Sequence, residues 1–320
     1  MNRLLGTVKA LPTLTAAVAL ALACGRPASP GRGTIVVFNA GALALPLRQA
    51  LDSFARADSL TVRQENAGSV ETVRKITDLG RIPDVVALAD TALFSSFLGG
   101  KLATPVTVLG RTRLVLAYTR QSRFADEVTA ANWPDVTTRP GVEVGRSDPA
   151  LDPAGYRALI AMQLAERYYR RPGLAATLER SAAPRFMRPK SADLVALLQT
   201  GNLDYAWEYE AVARRLRLHF VSLPDDVNLG DPDRASVYST AEVRLAPPGS
   251  IVGPGTETRS RAPLVIHGAP IVFGAAVPKG AANPEAGRRF ITYLMSSAGR
   301  AIFTGFGPGS GSYGARSETR

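Results

Sequence analysis

The sequence predicts an α/β fold built on a parallel, doubly wound sheet, with a second α/β region after it. Three observations predict this. The apolar, β-branched run "TIVVFNAG" (34–41) ends in a small-residue turn, and helical spacing follows in "LPLRQALDSFARAD" (45–58). The run "LTVRQENAGS" (60–69) repeats the arrangement, with a helix opening at Ser69. "PDVVALAD" (83–90) then completes a βαβαβ order, which calls for parallel pairing. A chain of 320 residues with 46% hydrophobic side chains has enough apolar material for two regions of this kind.

Taken in order, residues 1–23 read as an export signal: Arg3 and Lys9 precede the apolar run "LPTLTAAVALALAC", which is too short to span a bilayer comfortably. The run ends at Cys24, the only cysteine of the chain, which therefore has no internal disulfide partner. "ALAC" resembles a bacterial lipobox with Ala21 where Leu is usual, so lipidation at Cys24 is expected. Residues 24–33 then form a flexible tether. In the first helix Leu47, Leu51 and Phe54 share a face, and in the second Val70, Val73 and Ile76 do. "RLVLAYTR" (113–120) is a fourth strand. The second region holds strands at "GVEVGRS" (141–147), within "DYAWEYE" (204–210) and at "LHFVSLP" (218–224). "SDPALDPAGYRAL" (147–159) opens a helix, with Asp152 at the N-cap position and Pro153 in the first turn. The segment 244–263 reads as a loop or hairpin tip, "APIVFGAAVPKG" (269–280) as a strand, and 284–303 as helical.

The formal net charge is +11, but Arg is spread along the whole chain without a dense basic run or aromatic interleaving. A nucleic-acid partner is therefore not expected, while a diffuse positive field favours the arrival of small anions. Both histidines, His219 and His267, lie in strand-like apolar contexts, and no Cys/His metal spacing, P-loop or G-x-S-x-G elbow occurs. Small residues at strand-to-helix turns let backbone N–H groups approach a ligand, and ligands of such sheets sit outside the carboxyl ends of the strands. "NAGA" (39–42) and "NAGS" (66–69) are two such turns. Asp152 reads equally as an ordinary cap. Glu208, among Tyr205, Trp207 and Tyr209, reads as a rim carboxylate paired with Arg or as a group pointing into a cleft. The two together would also serve as an acid–base pair of an extracytoplasmic enzyme.

The segments "VVFNAGALALP", "NAGSVETVRKITDLG", "DPALDPAGYRALIAMQLAERYY" and "RPKSADLVALLQTGNLDYAWEY", in this order, resemble the tungstate/molybdate-binding proteins of ABC importers. The similarity covers nearly all of 34–300, and "DPxGYR" and "LLxxGxxDYAxEY" carry most of its specificity. The resemblance implies a two-lobed, type II periplasmic-binding-protein fold, with two strands crossing between the lobes near 114–119 and 270–274. Residues 34–115 and 272–320 would form one lobe and 116–271 the other. It also implies a monomeric, membrane-anchored extracytoplasmic receptor that needs no cofactor and delivers molybdate or tungstate to an ABC permease. The positions matching the family's site are Gly41 and Ala42, Ser69, Asp152 with Pro153 and Ala154, and Glu208. Pro153 has no N–H, so Ala154 supplies the backbone donor of that turn. Asp152 and Glu208 would complete the coordination of the Mo or W centre. Two departures stand out: Ala42 replaces the usual Ser, and the tail "GFGPGSGSYGARSETR" lacks a proline-rich ending. Ala42 keeps a receptor for another oxyanion, such as sulfate or phosphate, as an alternative.

Two carboxylates beside a dianion present an electrostatic conflict. At 4 Å and an effective dielectric of 20, each like-charge pair costs about 4 kcal/mol. Direct bonds from carboxylate oxygen to the metal resolve the conflict, because molybdenum and tungsten expand beyond four oxygens where sulfur and phosphorus do not.

Overall fold

The computed structural model describes residues 33–245 and 264–303. The expected signal, Cys24, most of the tether, the tip 246–263 and the tail beyond 303 lie outside the described residues. Twelve strands are described: β1 (Thr34–Ala40), β2 (Thr61–Ala67), β3 (Val85–Leu88), β4 (Thr107–Thr112), β5 (Leu114–Tyr118), β6 (Val144–Ser147), β7 (Met187–Arg188), β8 (Tyr205–Tyr209), β9 (His219–Ser222), β10 (Glu242–Leu245), β11 (Leu264–His267) and β12 (Ile271–Ala276). The helices that place the site are α1 (Ala44–Asp58), α2 (Ser69–Thr77), α3 (Ala92–Leu98), α4 (Trp133–Thr137), α5 (Pro153–Tyr168), α6 (Leu174–Ser181) and α7 (Ala192–Gln199).

Two five-stranded sheets result, one per lobe, in the orders β2-β1-β3-β12-β4 and β7-β6-β8-β5-β9. In the first, β1 pairs in parallel with β2 and β3, as the βαβαβ pattern requires. The sheet is not parallel throughout. β12 lies antiparallel between β3 and β4. It returns from the second lobe without a crossover helix, so it enters from the end where β4 leaves and runs against it. The strand β4 was not legible beforehand; Gly110 interrupts its apolar run, and half of its residues are only partly buried. β10 and β11 pair antiparallel.

The chain changes sheet at Arg113, with Leu114 already paired to β8, and changes back before Ile271, which pairs with Thr112. The loop 225–230 stands beside both points. The carbonyl of Asn228 accepts from Leu114 N at 2.8 Å, and that of Leu229 accepts from Ile271 N at 2.8 Å. The loop therefore braces the two crossings. Leu229 holds a left-handed φ of 59°, and the Asn228 side chain fixes the turn by accepting from Gly230 N and donating to the Leu223 carbonyl.

The apolar faces expected for α1 and α2 are buried: Leu47, Leu51 and Phe54 on one, Val70, Val73 and Ile76 on the other. In the second lobe Trp133 of α4 meets Trp207 of β8 edge-on at 5.7 Å, and burial of such large rings dominates core energetics. His219 and His267 are exposed residues of β9 and β11.

Candidate functional site

The carboxyl ends of β1, β2 and β3 carry the turns on the first-lobe side. After β1 comes a single 3-10 turn, Gly41–Leu43. A Cβ added at Gly41 would lie 2.8 Å from Cδ of Lys190, a second-lobe residue whose ammonium pairs with Asp193 at 2.8 Å. Gly41 thus leaves room for the Lys190 stem to lie over the turn. Ala42 beside it is buried and keeps only a methyl group. Ser69 is the first residue of α2 and is fully buried. Its hydroxyl oxygen accepts from Ala89 N at 2.9 Å, immediately after β3.

The second lobe closes on these turns. The carbonyl of Leu151 accepts from Val70 N at 3.0 Å and Glu71 N at 3.1 Å, the first turn of α2. A side chain at Gly68 would run into that carbonyl. Gly68→Ala is therefore expected to leave each lobe folded, since its φ of −63° suits alanine, while holding the lobes apart. Small-angle scattering checks this: the variant should stay more extended than the native protein.

Asp152 and Pro153 stand where the sequence placed them, at the N-cap and first turn of α5, with Asp152 in extended backbone. The capping role survives only in part, with the Ala154 N–H close enough to favour the charged carboxylate. The Asp152 side chain makes no cap hydrogen bond; its Oδ2 accepts from Ser191 N at 2.8 Å. Ser191, at the N-cap position of α7, likewise does not cap its own helix. Its Oγ donates to Oε1 of Glu208 at 2.9 Å. Two cap residues are thus turned inward, and Ser191 ties the two carboxylates together. Asp148 is the ordinary turn residue, its Oδ1 accepting from Ala150 N. Ala154 follows Pro153 and is fully buried.

Glu208 is fully buried on β8, and no Arg among the described residues pairs with it, so the rim ion pair is not seen there. Its Oε1 also accepts from its neighbour Tyr209 N at 2.7 Å, while Oε2 has no partner. Burial, with the Asp152 charge adding to it, pushes the Glu208 carboxyl up to about 8. Burial alone pushes Asp152 up to about 6, against the opposing pull of the Ser191 and Ala154 N–H groups, the Ser147 hydroxyl and Arg157. The Ser147 hydroxyl, at the end of β6, is buried beside Asp152 and makes no well-formed hydrogen bond. An oxygen with no partner on a fully buried carboxylate, next to a second carboxylate, is costly unless a ligand occupies it.

The structure thus brings Asp152 and Glu208 together, and closes Gly41, Ala42 and Ser69 onto the same lobe interface. Ser191, Ser147, the Leu151 carbonyl and Lys190 were not read from the sequence. Only Ser191 had a local signal, a Ser directly ahead of an apolar helix.

The model of bacterial extracellular solute-binding proteins matches residues 35–307. The chain belongs to this family. It is thus a binding protein that works outside the cytoplasm. An uncharacterized solute-binding protein of Petrotoga mobilis is 37% identical to it over 273 residues, 84% of this chain and 81% of that one. The molybdate/tungstate-binding protein WtpA of Pyrococcus abyssi is 32% identical over 319 residues, 90% of this chain and 89% of that one. Among solved structures, the periplasmic molybdate-binding protein of Azotobacter vinelandii superposes with a TM-score of 0.56 at 14% identity, covering 85% of this chain and 97% of that one. The sulfate-binding protein SubI of Mycobacterium tuberculosis H37Rv superposes with 0.57 at 12%, covering 86% and 85%. The two-lobed fold of this solute-binding protein is therefore shared by receptors of different oxyanions, and the donor set has to decide the ligand.

Proposed function

We propose that this solute-binding protein captures molybdate or tungstate and delivers it to an ABC permease, as a monomer held to the membrane through a lipid on Cys24. The observation that carries the ligand is the buried pair Asp152–Glu208 with its unpartnered Oε2. Among the described residues no cation pairs with Glu208, so wherever the pair is ionised, hydrogen-bond donors alone would leave a bound dianion repelled by it. A metal centre that accepts carboxylate oxygens turns the same pair into ligands. Ser69 and the backbone N–H groups near Gly41, Ala42 and Ala154 would hold the oxo groups, and Pro153 shapes the turn without donating. Oxyanion capture then proceeds by closure of the lobes over the anion. The relatives named for molybdate and tungstate support the reading.

Thermal-shift titration with tungstate, molybdate, sulfate and phosphate tests it. At 100-fold excess over Kd a ligand stabilises by about 2.7 kcal/mol, so tungstate and molybdate should each raise the melting temperature by several degrees. Stabilisation by sulfate alone would contradict the proposal. Two carboxyls with separated pKa values also suit an acid–base catalyst. Product analysis of the titrated mixture distinguishes the two, because a receptor returns its anion unchanged.

A further inference from the structure

The "GYR" part of the "DPAGYR" motif lies outside the ligand set. Gly155 has a packing reason: a Cβ there would strike the backbone at Ser147–Pro149. Tyr156 and Arg157 point instead across the lobe interface, and both are buried. Arg157 donates through Nη1 to the Ala89 carbonyl at 2.6 Å and to the Tyr209 hydroxyl at 2.8 Å. Its Nη2 pairs with Oδ2 of Asp90 at 3.2 Å. Tyr156 donates its hydroxyl to the same Asp90 oxygen, while Oδ1 of Asp90 accepts from Ala92 N at 2.9 Å and so opens α3. The guanidinium is thus fixed on three sides by groups that are themselves fixed.

The backbone of Ala89 is the link to the site. Its carbonyl, in the peptide shared with Asp90, accepts from Arg157, and its N–H, in the peptide shared with Leu88, donates to the hydroxyl oxygen of Ser69. With that lone pair occupied, the Ser69 proton has to point elsewhere, and no acceptor for it is found among the described residues. Arg157 belongs to the second lobe and Ala89 to the first, so the clamp is completed only when the lobes meet.

We infer that Arg157 is a positioning residue of the oxyanion site: by clamping the backbone of Ala89 across the lobe interface, it directs the Ser69 hydroxyl to donate to the bound anion in the closed form. The inference rests on the oxyanion reading above. It adds that Ser69 contributes its full hydrogen bond only while Arg157 holds Ala89.

The test is a double-mutant cycle read by tungstate affinity. Arg157→Met alone strands Asp90 in the interior, so the background is Asp90→Asn/Arg157→Met, which removes both charges together. Ser69→Ala in the native protein is expected to weaken tungstate binding about tenfold or more, as for a hydrogen bond to a charged partner. In the charge-neutral background the same Ser69→Ala change should weaken it less than about threefold, the two sites being coupled. A merely structural role for Arg157 would lower the melting temperature and leave the Ser69→Ala ratio unchanged. An equal ratio in both backgrounds overturns the inference and leaves the oxyanion reading standing. Absence of tungstate binding by the native protein overturns both.

Discussion

Glu208→Gln is expected to raise the melting temperature of the ligand-free protein at pH 8.5 by several degrees, while the two proteins melt together near pH 4. The folded-state pKa of Glu208, pushed up to about 8, lies above its ordinary value of 4.5. A carboxyl raised in the folded state opposes folding wherever the unfolded chain has ionised and the folded one resists. The native protein is therefore most stable, as far as this group is concerned, below about pH 4.5, and loses stability as pH rises towards 8. Each unit of difference is about 1.4 kcal/mol. Asp152, pushed up to about 6, adds a loss of the same sign over the lower part of the window. Glutamine copies the neutral carboxyl, keeps an oxygen for Ser191 Oγ and Tyr209 N, and does not titrate. The same substitution should abolish stabilisation by tungstate at every pH. Melting curves from pH 4 to 9 decide the matter: a gap between the two proteins that stays constant with pH would show that Glu208 is not held in its neutral form.

Asp152→Asn combined with Glu208→Gln is expected to reverse the order of preference among oxyanions. Tungstate affinity should fall at least 100-fold, because the oxygens proposed to bond the metal become poorer ligands. Sulfate should gain most at pH 9, where both carboxyls of the native pair are ionised, because two repulsive terms of about 4 kcal/mol each at close range then disappear. The neutral donors at the first-lobe turns and at Ala154 remain. Each 1.4 kcal/mol is about a tenfold change in dissociation constant, so even partial relief is measurable by calorimetry. If the variant loses tungstate and gains nothing for sulfate, the carboxylates bind without discriminating.

Much of the architecture was legible because local pattern and tertiary role agreed. The runs at 34–41, 60–69 and 83–90 became β1, β2 and β3 in the order their helices demanded. What escaped was nonlocal. β12 reads as a strand, but its antiparallel place between β3 and β4 depends on where the chain returns from the other lobe. Asp152 stood out as a helix opener and Glu208 as a carboxylate among aromatics. Ser191 did not, because a Ser ahead of an apolar helix is the commonest of N-caps, and only the approach of two distant carboxylates gives it another task. The same holds for Asp90, whose partners Tyr156 and Arg157 come from the other lobe.

The brace at Asn228 and Leu229 has a mechanical consequence. Arg113 is the only residue between the last strand position of one sheet and the first of the next, and its guanidinium is pinned to Glu210. Two independent connectors would let the lobes bend about one and twist about the other. Here consecutive carbonyls of one short loop hold the residue that follows each connector. The two connectors are therefore coupled, and a shift of one is passed through this loop to the other.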